Sequence, residues 1–113
     1  MVSKRKFNRK RGERISFRMG LASSVIERGK ITTTVTRAKD IRPLVERYIT
    51  IAKKNNLASF RLLLSKLPKK SAEKIFYEIA PKYKDRDGGY LRITKTANFR
   101  KRDAAQTAVI ELV

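Results

Sequence analysis

Arginine and lysine dominate the chemistry available to this chain, and that chemistry is the neutralisation of anions, whether acidic substrates, membrane surfaces or nucleic acid. Lys4, Arg5, Lys6, Arg9, Lys10, Arg11, Arg14 and Arg18 place eight cations in the first 18 residues against one acid, Glu13. Arg11, Arg14 and Arg18 stand at i, i+3 and i+7, a spacing that lines side chains along one side of a helix. Guanidinium forks on such a stripe can grip successive phosphates bidentately, while lysines act as point charges. A second concentration spans residues 92–103, where Arg92, Lys95, Arg100, Lys101 and Arg102 face only Asp103. Three adjacent cations repel one another unless a polyanion neutralises them. Phe7, between Lys6 and Arg9, and Phe99, before Arg100, are candidates to stack on unpaired bases, a contact worth about 1–3 kcal/mol. For Phe99 the competing reading is a ring folded back onto its own domain. Arg37, Lys39 and Arg42 extend the basic surface. Thr32-Thr33-Thr34 could donate hydroxyls to ribose or phosphate, although strand threonines are the plainer reading.

Other chemistry is excluded by absence. The chain has no Cys and no His, which removes disulfides, thiolate nucleophiles, Cys/His zinc sites and imidazole acid–base catalysis. Asp85 and Asp87 lie among Lys84 and Arg86 with no further clustered ligand, so they read as turn residues. Gly88-Gly89 lacks the spacing of the phosphate-binding glycine motifs. Neither a catalytic residue, a metal, a cofactor nor a small-molecule substrate is expected. The apolar runs, such as Leu62-Leu63-Leu64, stop at three residues, far short of the roughly 20 that a membrane helix requires.

Something folded has to hold these cations in place. At 113 residues and 41% hydrophobic composition, the chain has enough for one packed core despite a net charge of +19. Such an excess on so small a body points to a polyanionic partner. Its concentration in two segments differs from the evenly mixed charge that serves solubility. Residues 1–12 are basic and without period, so they read as an extended arm that orders on RNA contact; residues 13–113 form a single domain.

Within that domain, Ile15, Met19, Ala22 and Ile26 predict one face of a helix from about Glu13, stopped by Gly29. The β-branched run 31–35 predicts a strand, and Thr36 is the candidate cap of a second helix. That helix carries Ile41, Leu44, Val45, Tyr48, Ile49 and Ala52 inward, with a kink or later start at Pro43. Leu57, Phe60, Leu63, Leu64 and Leu67 define a third helix ended by Pro68. Ser71 is the candidate cap of a fourth, with Ala72, Ile75, Phe76, Ile79 and Ala80 inward and Pro81 at its end. Strands follow at 90–94 and 107–113, separated by a basic loop at 96–105. The order α-β-α-α-α-β-β makes a two-layer α+β domain, a small sheet covered by helices.

Several segments carry a resemblance: RMGLASSVI at 18–26, ITTT at 31–34, RAKDIRPLVERYITIAK at 37–53, DGGYLRITK at 87–95 and AVIELV at 108–113. Together they resemble the family of bacterial large-subunit ribosomal protein seventeen, in one order over about residues 9–113. Family members commonly begin with a His-containing basic stretch, whereas this chain reads MVSKRKFNRKRGER. The resemblance implies a structural protein bound to large-subunit rRNA near the outer end of the peptide exit tunnel. It also implies neighbouring large-subunit ribosomal proteins as partners, in a cytoplasmic or an organellar ribosome. A free nucleic-acid-binding protein of nucleoid or regulatory type is the alternative, though no helix presents an evident set of base-reading polar residues.

Overall fold

The computed structural model describes residues 11–99 and 104–113. The first helix, α1 (Arg11–Arg28), opens inside the stretch read as an arm. Its second half packs Ala22, Val25 and Ile26 fully into the core, but Ile15, expected on the same face, is 55% exposed. The apolar period continues beyond the end of the surface available to bury it. Gly29 terminates α1 as expected: its φ of +81° is a left-handed geometry that suits glycine, and its N–H donates to the Val25 carbonyl at 2.8 Å. Lys74 Nζ donates to the Glu27 carbonyl at 2.6 Å, setting a cation at the negative end of the helix.

Strand β1 (Lys30–Thr34) leads directly into α2 (Val35–Lys53). The cap is Thr34, not Thr36: Thr34 Oγ1 accepts from the Arg37 N–H at 3.3 Å, the third position of the helix, while Thr36 already lies inside it. Pro43 does not delay α2, which runs unbroken through it from Val35 to Lys53. It stands on the exposed side, where the Lys39 carbonyl it leaves unbonded can face water. The inward stripe of α2 is Ala38, Ile41, Val45, Tyr48, Ile49 and Ala52.

Asn56 caps α3 (Leu57–Lys66) by a reciprocal box: its Oδ1 accepts from the Ser59 N–H at 2.8 Å, and Ser59 Oγ accepts from the Asn56 N–H at 3.3 Å. This helix buries a narrow stripe of Ser59 and Leu63, continued by Leu67. Leu57 and Leu64, expected inward, are 62% and 38% exposed because a ten-residue helix packed on one side cannot bury both flanks. After Pro68 the chain forms α4 (Lys69–Lys74), a π-helical turn (Ile75–Ile79) and a 3-10 turn (Ala80–Tyr83). Ser71 is no cap; it is fully buried within α4. In the π turn Ala80 N–H donates to the Ile75 carbonyl, five residues back. Pro81 enters the first turn of the 3-10 segment, where its missing N–H costs nothing, so the segment passes it and ends at Tyr83.

Strands β2 (Leu91–Phe99) and β3 (Gln106–Leu112) complete an antiparallel sheet in the order β1-β3-β2. β2 therefore runs well into the segment expected as loop. Ile31, Ile110 and Ile93 align in one row, and Leu91 opposes Leu112. These residues and Ala108 meet the helices in the core. The other face presents Lys30, Thr32, Arg92 and Thr94, none of them buried. Tyr83 and Tyr90 close the core with ring centroids 5.3 Å apart; Tyr83 Oη donates to the Val113 carbonyl at 2.6 Å. The expected two-layer α+β arrangement and element order are those observed.

Candidate nucleic-acid interface

The reversal at Gly29 sends α1 back along the sheet, and two contacts fix where its first half lies. The Arg37 guanidinium sits over the Phe17 ring, 5.0 Å from its centroid. Arg18 forks onto Asp40, with Nε to Oδ2 at 3.0 Å and Nη2 donating to Oδ1 at 3.2 Å. Phe17 and Arg18, midway along α1, are thus beside the start of α2, which leaves β1 at Thr34, and the first turns of α1 run on past them. Thr34 pairs with Thr107, and the next row joins Thr33, Ala108 and Lys95. Past that edge the two-stranded β2–β3 ribbon is one further pair, Phe99 with Gln106, reached after a register shift between Lys95 and Phe99. Consequently the first turns of α1, the opening of α2 and the β2–β3 ribbon share one end of the domain.

Six of the cations singled out by sequence come together at that end: Arg11, Arg14, Arg18, Arg37, Lys39 and Lys95. Arg11, Arg14 and Arg18 line a groove with Ile15, as their helical spacing requires. Their environments differ. The Arg18 side chain is 19% exposed and neutralised by Asp40, so it anchors α1 to α2. Arg11 is exposed, whereas Arg14 Nε is shielded from water with no hydrogen-bond partner among the described residues. Lys39 and Lys95 are exposed.

Two candidates stand apart. Arg42, in the second turn of α2, reaches Glu46 at 3.5 Å along the helix. Arg92 donates from Nε and Nη2 to Glu111 Oε1 at 3.1 and 2.7 Å. It lies three residues from Lys95, roughly 10 Å along the strand and away from the basic end. Lys4, Arg5, Lys6, Phe7, Arg9, Lys10, Arg100, Lys101 and Arg102 lie outside the described residues, as does the Phe99 side chain; the Phe99 backbone ends β2. Sequence reading missed the partners that orient the site. Asp40 was visible as a lone acid among Arg37, Lys39 and Arg42, whereas no local signal marks Phe17 as the seat of Arg37. Among the described residues, no cluster of His, Cys, Asp or Glu could hold a metal, and no helix is long and apolar enough to cross a membrane. Among the described residues the arrangement groups cations on adjoining elements, with Arg37 held over Phe17 and Arg18 held by Asp40.

Comparison with known proteins bears on what such a surface could serve. A family model described as ribosomal protein L17 matches residues 18–113. The large ribosomal subunit protein bL17 of Fusobacterium nucleatum is 48% identical over 112 residues, covering 98% of this chain and 96% of that protein. The protein of the same description from Persephonella marina is 46% identical over 114 residues, covering 99% and 92% respectively. That from Thermus thermophilus is 44% identical over 114 residues, covering 100% and 97%.

Proposed function

The chain belongs to the ribosomal protein L17 family, structural and non-enzymatic constituents of the large ribosomal subunit, and from that premise we propose that it binds and stabilises large-subunit rRNA through its basic end. The contacts are made by the arm of residues 1–12, the first half of α1 with Arg11 and Arg14, and the basic loop that follows β2. Arg37, Lys39 and Lys95 widen the same surface, while Arg42 and Arg92 contribute less because each already has a carboxylate partner. Phosphate neutralisation supplies affinity, the folded shape of the RNA supplies specificity, and the two projections join separate RNA segments. Its place is near the peptide exit tunnel, among other large-subunit proteins.

The observation that supports this reading is convergence. Cations far apart in sequence share one end of the domain, the end from which α1 and the β2–β3 ribbon project. Sedimentation tests it. The full chain should migrate with large subunits after a moderate salt wash, and a chain lacking residues 1–12 and 100–103 should appear in the top fractions. Equal retention of both would refute the proposed contacts. Release of the full chain, with RNA binding intact in the free state, would favour a free nucleic-acid-binding protein.

A further inference from the structure

Beside the arginine groove opens a second groove of different character. Its floor is apolar, formed by Ile15 and Met19 of α1, Leu44 and Ile51 of α2, and Leu62 of α3. Arg47 and Lys66 stand on its rim; no acidic side chain lines it, and neither cation forms an ion pair among the described residues. Ile15 and Leu62 are 55% and 43% exposed, so apolar surface the core could not absorb faces this opening. Ile15 and Arg18 line both grooves, which makes them continuous along α1.

A largely apolar groove edged by Arg47, Lys66 and the neutral Ser65, with no acid, suits a ligand that combines a flat apolar face with flanking negative charge. A basic peptide meets repulsion there, and an apolar peptide leaves Arg47 and Lys66 unmatched. An unpaired nucleotide fits both features, and an RNA strand lying in the arginine groove reaches the site without leaving the surface. We propose that this groove receives an unstacked base of the RNA whose phosphates rest on Arg11 and Arg14. The base lies against Ile15 and Leu62, and adjacent phosphates lie on Arg47 and Lys66. The inference rests on the rRNA-binding reading above and adds the kind of RNA element recognised: a bulge or loop rather than continuous duplex.

The test uses the full chain and in-vitro transcribed large-subunit rRNA, with equilibrium binding measured over a salt series. Ile15→Ala/Leu62→Ala should weaken binding about tenfold at every salt concentration, with the slope of log K against log salt unchanged, since apolar contact releases no counterions. Arg47→Gln/Lys66→Gln should make that slope shallower by about 1.4, the value for two single-strand phosphates. Leu57→Ala/Leu64→Ala, exposed leucines outside the groove, should bind as wild type. Wild-type affinity in Ile15→Ala/Leu62→Ala would overturn the base-binding groove while leaving the rRNA reading intact. So would a loss seen only during assembly with other ribosomal proteins, which would identify a protein occupant. An equal loss in Leu57→Ala/Leu64→Ala would overturn it as well. Absence of wild-type binding even in dilute salt would instead sink the rRNA reading itself.

Discussion

Replacing Arg11 and Arg14 together by Gln removes two cations from the α1 groove while leaving the Arg18–Asp40 anchor and the buried half of the helix untouched. Gln is nearly as good a helix former as Arg, so α1 itself should persist. Each phosphate contact contributes about 0.9 to the salt slope on a duplex and about 0.7 on a single strand. Losing two should therefore lower the slope by about 1.4–1.8 and weaken binding about 25- to 60-fold at 0.1 M salt relative to a 1 M reference. Filter binding or anisotropy with large-subunit rRNA between about 50 and 200 mM salt resolves a change of this size. Arg92→Gln supplies the contrast: Arg92 already shares its charge with Glu111 at 2.7 Å, so the slope should shift much less. A wild-type slope for Arg11→Gln/Arg14→Gln, or equal flattening by Arg92→Gln, would refute the assignment of phosphate contacts to this end of the domain.

Three further outcomes concern the scaffold. Asn56→Ala breaks the reciprocal cap of α3 and should cost about 0.5–2 kcal/mol in urea unfolding. Ser71→Ala should leave stability unchanged or raise it by about 1 kcal/mol, because the Ser71 hydroxyl is buried with no hydrogen-bond partner among the described residues; a large loss in melting temperature would show that it has one. Burial pushes the Tyr83 phenol above its ordinary value near 10, against the opposing pull of Arg86, and Tyr48 is raised likewise against Arg47. The folded state then keeps protons that the unfolded chain gives up. That stability is fully present below about pH 10 and lost as pH rises through the raised values, so urea midpoints should fall there and fall less steeply in Tyr83→Phe.

Periodicity and punctuation made most of the architecture readable. The α2 stripe from Ile41 to Ala52, Gly29 after α1 and Pro68 after α3 stand where their chemistry requires. The failures have a common cause: a repeat reports the phase of an element but not how far its neighbours extend. Ile15 and Leu64 keep the apolar period, yet α1 outruns the core and α3 meets it along a narrow stripe. Capping failed where two threonines or a serine offered equivalent chemistry within a few residues, as at Thr34 against Thr36. In the candidate interface, the stripe of Arg11, Arg14 and Arg18 was legible from spacing. Its division into an anchor, Arg18, and the cations Arg11 and Arg14 was not, because Asp40 lies on another element and only tertiary packing delivers it to Arg18.

The placement of β3 between β1 and β2 carries a consequence for synthesis. Lys30–Thr34 has no partner in the sheet until Gln106–Leu112, more than seventy positions later, has been made. At about 5–20 residues per second that is a delay of about 4–15 s. During that interval the helices can begin to pack, but Ile31 has neither Ile110 nor the sheet to cover it. The sheet therefore closes late, on a nascent chain whose most basic segment was made first.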